Sequence, residues 1–276
     1  MPQIPSLSLV TAELERNVGD KTFDNIVRGE TEKLMLKEAA VWPLLRPDIF
    51  SGIRKTPKVL LLRSQDEKIK CHVSECIAGE MKASYYFLPA ARLINDWSAH
   101  GKNIISLLFD EARSQKLSVV YVKDSDLLSA KFTDDELDLA MKLEFKNWMC
   151  HVNNLNCVLL ILGVSFNSNF VSNASHQVIE FEINPPDQIT RLAIIRHHLS
   201  NILYEVSDDE LEMLSIATAG FSDTSLEEVV QESLSNVLTM LMSGENENIS
   251  SSVLYKHLEN TVNKMKLRDI NNEARI

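Results

Sequence analysis

The sequence has 276 residues, of which 45% are hydrophobic and 24% charged, and its formal net charge is −11. That length buries a substantial core and suits one large or two small domains, while the acidic balance argues against nucleic acid or another polyanion as the main partner. No apolar run approaches the roughly 20 residues of a membrane span, and the first residues lack the charged start and apolar core of a secretory signal, so the expectation is a cytosolic or nuclear protein with no membrane partner.

Residues 1–20 carry Pro2, Pro5 and several serines, and are expected as a flexible start with one short helix at 9–16. A helix is expected at 30–41, with Leu34, Glu38 and Val41 on one face, stopped by Pro43 and Pro47 and followed by an extended approach to the first strand. Val59, Leu60, Leu61 and Leu62 form a continuous apolar run, as in a strand buried on both faces. A polar loop follows, then a helical pattern from Lys70. A strand at 85–88 precedes a helix at 102–114, whose inner face is Ile104, Ile105, Leu108 and Ala112. A strand at 119–122 precedes a helix at 133–149 capped by Thr133, with Asp134, Asp135 and Glu136 in its first turn and Leu137, Met141, Phe145 and Trp148 facing inward. Two more strands fall at 158–162 and 178–183. Strands alternating with helices of this length imply a parallel sheet covered on both faces.

Asn184, Pro185, Pro186 and Asp187 break that alternation, and all that follows reads as helix. Leu192, Ile195, Leu199 and Ile202 form one apolar stripe; Leu226, Val230, Leu234, Val237 and Leu241 a second; Leu254, Leu258, Val262 and Met265 a third, after a polar linker at 244–248. The expected organisation is therefore a start at 1–20, an α/β domain at 21–185 and a small helical domain at 186–276. The four cysteines, Cys71, Cys76, Cys150 and Cys157, are expected as reduced, buried thiols. His72 and His151 adjoin two of them, but the spacings match no zinc pattern, and no metal is expected.

Five segments carry a family signature. They are Val41-Trp-Pro-Leu-Leu-Arg-Pro-Asp-Ile-Phe-Ser-Gly52, Ala91-Arg-Leu-Ile-Asn-Asp-Trp97, Leu107-Leu-Phe-Asp-Glu-Ala-Arg113, Pro186-Asp-Gln-Ile-Thr-Arg191 and Gly220-Phe-Ser-Asp-Thr-Ser-Leu226. In this order they resemble the AAA ATPases of the fidgetin, spastin and katanin group, and within it the fidgetin-like proteins, over nearly the whole chain from Phe23. The resemblance implies a P-loop NTPase-like parallel sheet of five strands in the order 5-1-4-3-2, flanked by helices and followed by an all-helical lid domain with a C-terminal helix.

The resemblance also implies where a nucleotide would sit. It puts Lys70 at the P-loop lysine and Cys71 at the following Ser/Thr, with Ser64, Glu67 and Ile69 at the glycines. Glycines let successive backbone N–H groups turn toward the phosphates, and none stands here. Asp66 and Glu67 bring negative charge to the same loop, where each like-charge contact at ~4 Å costs ~1 to 4 kcal/mol. The other reading of Lys70 is a solvated lysine at a helix start. After the strand at 119–122 the resemblance puts Lys123 at the magnesium aspartate and Asp124 at the catalytic glutamate, with Asp126 nearby; the plain alternative is a helix-capping turn. A lysine ammonium repels Mg²⁺. Phe166 stands at the sensor asparagine unless the loop shifts to use Asn167. No arginine lies between Arg113 and Arg191, so the expected arginine finger at 169–177 is missing. Trp97 matches the pore-loop tryptophan, with Asp96 in place of its lysine; it is either a pore-loop contact or packed on its own domain.

The expectation is a pseudo-ATPase acting as a binding or regulatory subunit, with an active AAA paralogue or tubulin as partner and microtubule severing or remodelling of protein assemblies as the setting. ATP and Mg²⁺ enter by family resemblance alone. The alternatives are a divergent but active ATPase that uses Lys70 and Asp124, and a stand-alone interaction domain. Within the degenerate site, Lys123 is expected near Asp66 and Glu67, and Lys70 near Asp124 or Asp126, replacing the charges of a ligand; the alternative is that all of these groups point into water.

Overall fold

In a computed structural model of the chain, residues 14–50, 57–100, 103–128, 136–168, 178–200, 202–243 and 253–273 are described. The apolar runs form β2 (Val59–Arg63), β3 (Ser84–Pro89), β4 (Ser118–Lys123), β5 (Val158–Val164) and β6 (Ile179–Glu182). These pair in parallel in the order β3-β4-β5-β2-β6, which is 5-1-4-3-2 read from the other edge. The sheet has one strand more than expected. β1 (Glu15–Arg16) pairs antiparallel with Tyr85 and Tyr86 at the β3 edge, making a mixed sheet of six. Leu14 is buried in the core, and the Arg16 guanidinium lies 3.5 Å from the Phe87 ring centroid. These anchors make residues 15–16 strand rather than the helix expected at 9–16, the rest of which falls largely outside the described residues.

The runs of β2, β4 and β5 lack polar alternation because both faces are covered, whereas the edge strand β6 alternates Ile-Glu-Phe-Glu. On one face Val59, Leu61, Val120, Val122, Leu160 and Leu162 pack with residues of the helices Asn103–Ser114 and Glu136–Val152, among them Leu108, Ala112, Met141, Phe145 and Trp148. On the other face Leu60, Leu62, Val119, Tyr121, Leu159 and Ile161 pack with the helix Glu67–Met81 and the N-terminal segment. The cap expected at Thr133 lies outside the described residues, as do the side chains of Ile104, Ile105 and Leu137.

The N-terminal helix departs from the expected pattern. Glu30–Leu36 is α-helical, a π turn follows over Lys37–Val41, and a further turn runs Trp42–Leu45. Leu36, Ala40, Val41 and Leu44 are buried while Leu34 is exposed, because the wide turn rotates the later residues relative to a uniform helix. Pro43 does not stop the chain. It sits in the first turn of the next helical piece, where a missing N–H is tolerated; that piece ends at Leu45 with Arg46 as its C-cap, and Pro47 opens a further turn, Pro47–Phe50, where an extended approach was expected. This segment is fastened to the helix Glu67–Met81: Lys21 pairs with Glu75 at 2.5 Å and Lys37 with Glu80 at 2.9 Å. Gly79 permits that approach, since a Cβ there would lie 1.9 Å from the Lys21 carbonyl oxygen.

The chain divides into two compact units after Ile183. The second contains the helices Gln188–Leu199, Asp208–Ala217, Asp223–Ser243 and Tyr255–Glu273, with a two-residue parallel pair between Tyr204–Glu205 and Val253–Leu254. Ile195, Leu199, Leu226, Val230, Val237, Leu258 and Val262 are buried as the stripes require, but Leu241 is exposed near the end of its helix. Asp187 and Ser207 cap the first two helices, Ser207 through a capping box with Glu210. Arg191 is buried by its bonds to the Pro186 and Ser215 carbonyls at 2.9 and 3.0 Å. Among the described residues no helix is long and apolar enough to cross a membrane.

Candidate functional site

In an open parallel sheet, loops at the carboxyl ends of the central strands meet in one crevice. Here β2 is flanked by β5 and β6, and β5 by β4, so the loop after β2 faces the ends of β4 and β5. That loop is shorter than expected. The helix starts at Glu67 rather than Lys70, because the Asp66 side chain caps it by accepting from Lys68 N at 3.0 Å and Ile69 N at 3.4 Å. The Asp66 N–H in turn donates to Ser64 Oγ at 3.2 Å, and Ser64 N–H to the Val164 carbonyl at 3.3 Å. Among the described non-glycine residues positive φ occurs at Lys82 and Asp124. The loop therefore lacks the alternating backbone that turns successive N–H groups to one point.

Lys70 is not a solvated lysine. It is 2% exposed, and its ammonium donates to Glu67 Oε2 at 2.6 Å and to the Val164 carbonyl at 2.9 Å. Glu67 Oε1 accepts from the Tyr121 hydroxyl at 2.9 Å. Tyr121 is fully buried on β4, and burial, followed by the charge of Glu67, pushes its phenol far above the usual range, so it stays a proton donor. Room for the phenol comes from Gly163 on β5, where a Cβ would lie 2.4 Å from the Tyr121 oxygen. The result is one connected set, Tyr121–Glu67–Lys70–Val164, joining β4, the helix start and β5.

The other expected residues are arranged differently from the forecast pairing. Lys123 pairs with its neighbour Asp124 at 3.7 Å, both partly exposed, rather than with Asp66 or Glu67. Lys70 pairs three residues back in its own helix rather than with Asp124 or Asp126. The reason is local: residues three apart on a helix lie side by side, and early helix initiation turns Glu67 onto that face. Asp124 has φ 54°, a left-handed conformation aspartate tolerates. Asp126 accepts from Ser165 N–H at 2.6 Å and Ser165 Oγ at 2.8 Å, tying the turn after β4 to the end of β5. Asn167 is exposed in the turn that follows, and Phe166 is half-buried. Trp97 lies in the helix Ala90–His100, but its side chain lies outside the described residues, as does the segment 169–177.

Cys71, which the resemblance puts at the Ser/Thr position, packs between Glu75 and Tyr85. Its thiol donates to Glu75 at 3.6 Å and lies 4.0 Å from the Tyr85 hydroxyl, and burial first, then the charge of Glu75, pushes it up to about 11. All four cysteines are free, but Cys76 alone of them is buried; the other three are half-exposed, since each sits at a helix flank or strand entry. Among the described residues no group of three or more His, Cys, Asp and Glu is placed to hold a metal ion.

Tyr121, Gly163 and Ser165 did not stand out in the sequence. The available signals were a lone tyrosine in an apolar strand, whose hydroxyl needs a partner when buried, and a glycine inside a strand, which marks a close approach.

No family model matches the chain. It is 29% identical over 216 residues to the ATPase family AAA domain-containing protein FIGL1 of Arabidopsis thaliana and 28% identical over 232 residues to fidgetin of Danio rerio. These alignments cover 76% and 83% of the chain, and 32% of each relative. The chain is a homologue of the fidgetin-like AAA proteins. Human fidgetin-like protein 1 shares 24% identity over 82% of the chain. Among solved structures, the FIGL-1 AAA domain superposes with a TM-score of 0.78 over 95% of this chain and 89% of that one, at 22% identity. A katanin structure described for its self-assembly gives 0.74 over 95% and 92%, at 19% identity. The AAA fold follows from these likenesses. The chain spans about a third of the length of the curated relatives it matches.

Proposed function

We propose that the chain is a non-hydrolysing, fidgetin-like AAA subunit that binds or regulates other proteins. One observation carries the reading: the donors a phosphate would need at the loop after β2 are already engaged by the chain's own carboxylates. Helix N-terminal N–H groups bind phosphate because they are otherwise unsatisfied; here Asp66 takes those of Lys68 and Ile69. The P-loop lysine would reach the terminal phosphates; here Lys70 is held by Glu67 and Val164. A magnesium ion would need a carboxylate at the end of β4, where the resemblance puts Lys123; Asp124 beside it pairs with that lysine and Asp126 accepts from Ser165. The residues present do not fit a magnesium nucleotide.

The relatives supply the setting. A FIGL-1 AAA domain has been solved in complex with ADP, and the katanin neighbour is described for self-assembly. We place this chain beside an active AAA paralogue as its first candidate partner and tubulin as its second, in microtubule severing or remodelling of protein assemblies, in the cytosol or nucleus. Measuring mass by light scattering, with and without an active fidgetin-like subunit, tests the assembly. A mixed oligomer is expected, and two unmixed species would contradict it. The runner-up, a divergent ATPase, requires hydrolysis that is lost in Lys70→Ala.

A further inference from the structure

The non-hydrolysing reading says that nucleotide is not used, but not which group excludes it. Three differences compete: the missing glycines, the lysine after β4, and the carboxylates of the loop. The geometry separates them. The cation that a phosphate-binding loop offers is present, and buried to 2% exposure. A buried ammonium requires an anion or several good acceptors. Glu67 supplies the anion at 2.6 Å, and the Val164 carbonyl a second acceptor at 2.9 Å. The other oxygen of the same carboxylate takes the Tyr121 hydroxyl at 2.9 Å. That phenol reaches it because β5 has Gly163 where a Cβ would lie 2.4 Å away. A carboxylate that accepts from a lysine and a neutral hydroxyl, at the mouth of a helix N-terminus, has the surroundings of a bound oxyanion.

Resting on the non-hydrolysing reading, we infer that Glu67 is a built-in occupant of the phosphate position at Lys70, an autoinhibitory contact that closes the anion site Lys70 and the Tyr121 hydroxyl would otherwise offer. The ligand class kept out is a di- or triphosphate, or pyrophosphate itself. The glycine losses shape the loop and Asp66 takes the Lys68 and Ile69 N–H groups, but the exclusion of an anion from Lys70 is electrostatic and resides in Glu67. Removing the Glu67 carboxylate leaves Lys70 and the Tyr121 hydroxyl as two convergent donors, to which oxygens at one end of the anion can bind in place of the carboxylate oxygens. Because Glu67 is 28% exposed on its outer side, the vacated position opens to solvent and an anion can enter it. Lys123 ends β4, paired with Asp124, so the ligand is expected to bind without magnesium.

The test is calorimetric titration of the full chain with pyrophosphate and with ADP, in the absence of Mg²⁺, for the wild type, Glu67→Ala, Glu67→Gln and the double variant Glu67→Ala/Lys70→Met. Circular dichroism verifies each fold. Wild type is expected to show no saturable binding. Glu67→Ala is expected to bind pyrophosphate at least about tenfold more tightly, the change expected when one like-charge contact is relieved, and the gain is expected to vanish in the double variant. Glu67→Gln keeps the volume and the Tyr121 contact while losing the charge, so it carries the same comparison if Glu67→Ala does not fold. Folded single variants that bind no better than wild type would overturn the inference and leave the non-hydrolysing reading standing. Wild-type binding of ADP as tight as that of the variants would overturn both.

Discussion

The helix after β2 and the end of β4 both carry a lysine where the family resemblance expects nucleotide chemistry, yet the two lysines live in different physics. Lys70 is buried, and its ammonium meets a carboxylate and a carbonyl. Lys123 is 36% exposed and meets the adjacent Asp124 at 3.7 Å. A buried charge is costly unless matched, so its partner becomes part of the fold; an exposed pair is screened by water and contributes little. On the proposed reading, a residue of the chain takes the place of a ligand at the buried cation, while the exposed position carries no such constraint.

Mutations that remove each contact in turn sharpen this contrast. Lys70→Ala should cost the most, about 2–3 kcal/mol in urea denaturation. That is below the range for breaking a fully buried pair, because Glu67 retains some water access. A loss below about 0.5 kcal/mol would place Lys70 with ordinary surface charges. Gly163→Ala should cost about 1–3 kcal/mol through overpacking against the Tyr121 phenol. Tyr121→Phe should cost about 1.5–2 kcal/mol, the lower part of the range for a hydrogen bond to a charged acceptor, and with Gly163→Ala it should be less than additive, since both act on one oxygen. Lys123→Ala should change stability by no more than about 0.5 kcal/mol. A cost for Lys123→Ala comparable to that of Lys70→Ala would break the contrast.

The sheet was legible in the sequence because its strands are buried on both faces, and a run such as Val59 to Leu62 has few other uses. The strand order came with the family resemblance rather than from the residues. β1 was not legible: two residues without an apolar run are strand because a free edge and a pocket for Leu14 are available. The N-terminal helix misled at Leu34 and Pro43 because a π turn shifts the side-chain register, and no single residue announces it. In the site, the residue types were readable but their partners were not. Asp66 looked like an obstacle to phosphate and is also the cap that starts the helix at Glu67. Once the helix begins there, Glu67 and Lys70 stand three apart on one face, and a pairing imagined across the crevice is made within a single turn.

The central claim is that the chain does not turn over nucleotide. Titrating the full chain with ATP and with ADP in Mg²⁺, and following phosphate release on the same sample, tests it most directly. The account predicts no binding in the low micromolar range and no magnesium-dependent hydrolysis above background, with no homohexamer appearing on addition of ATP. Low-micromolar binding accompanied by turnover that Lys70→Ala abolishes would contradict it.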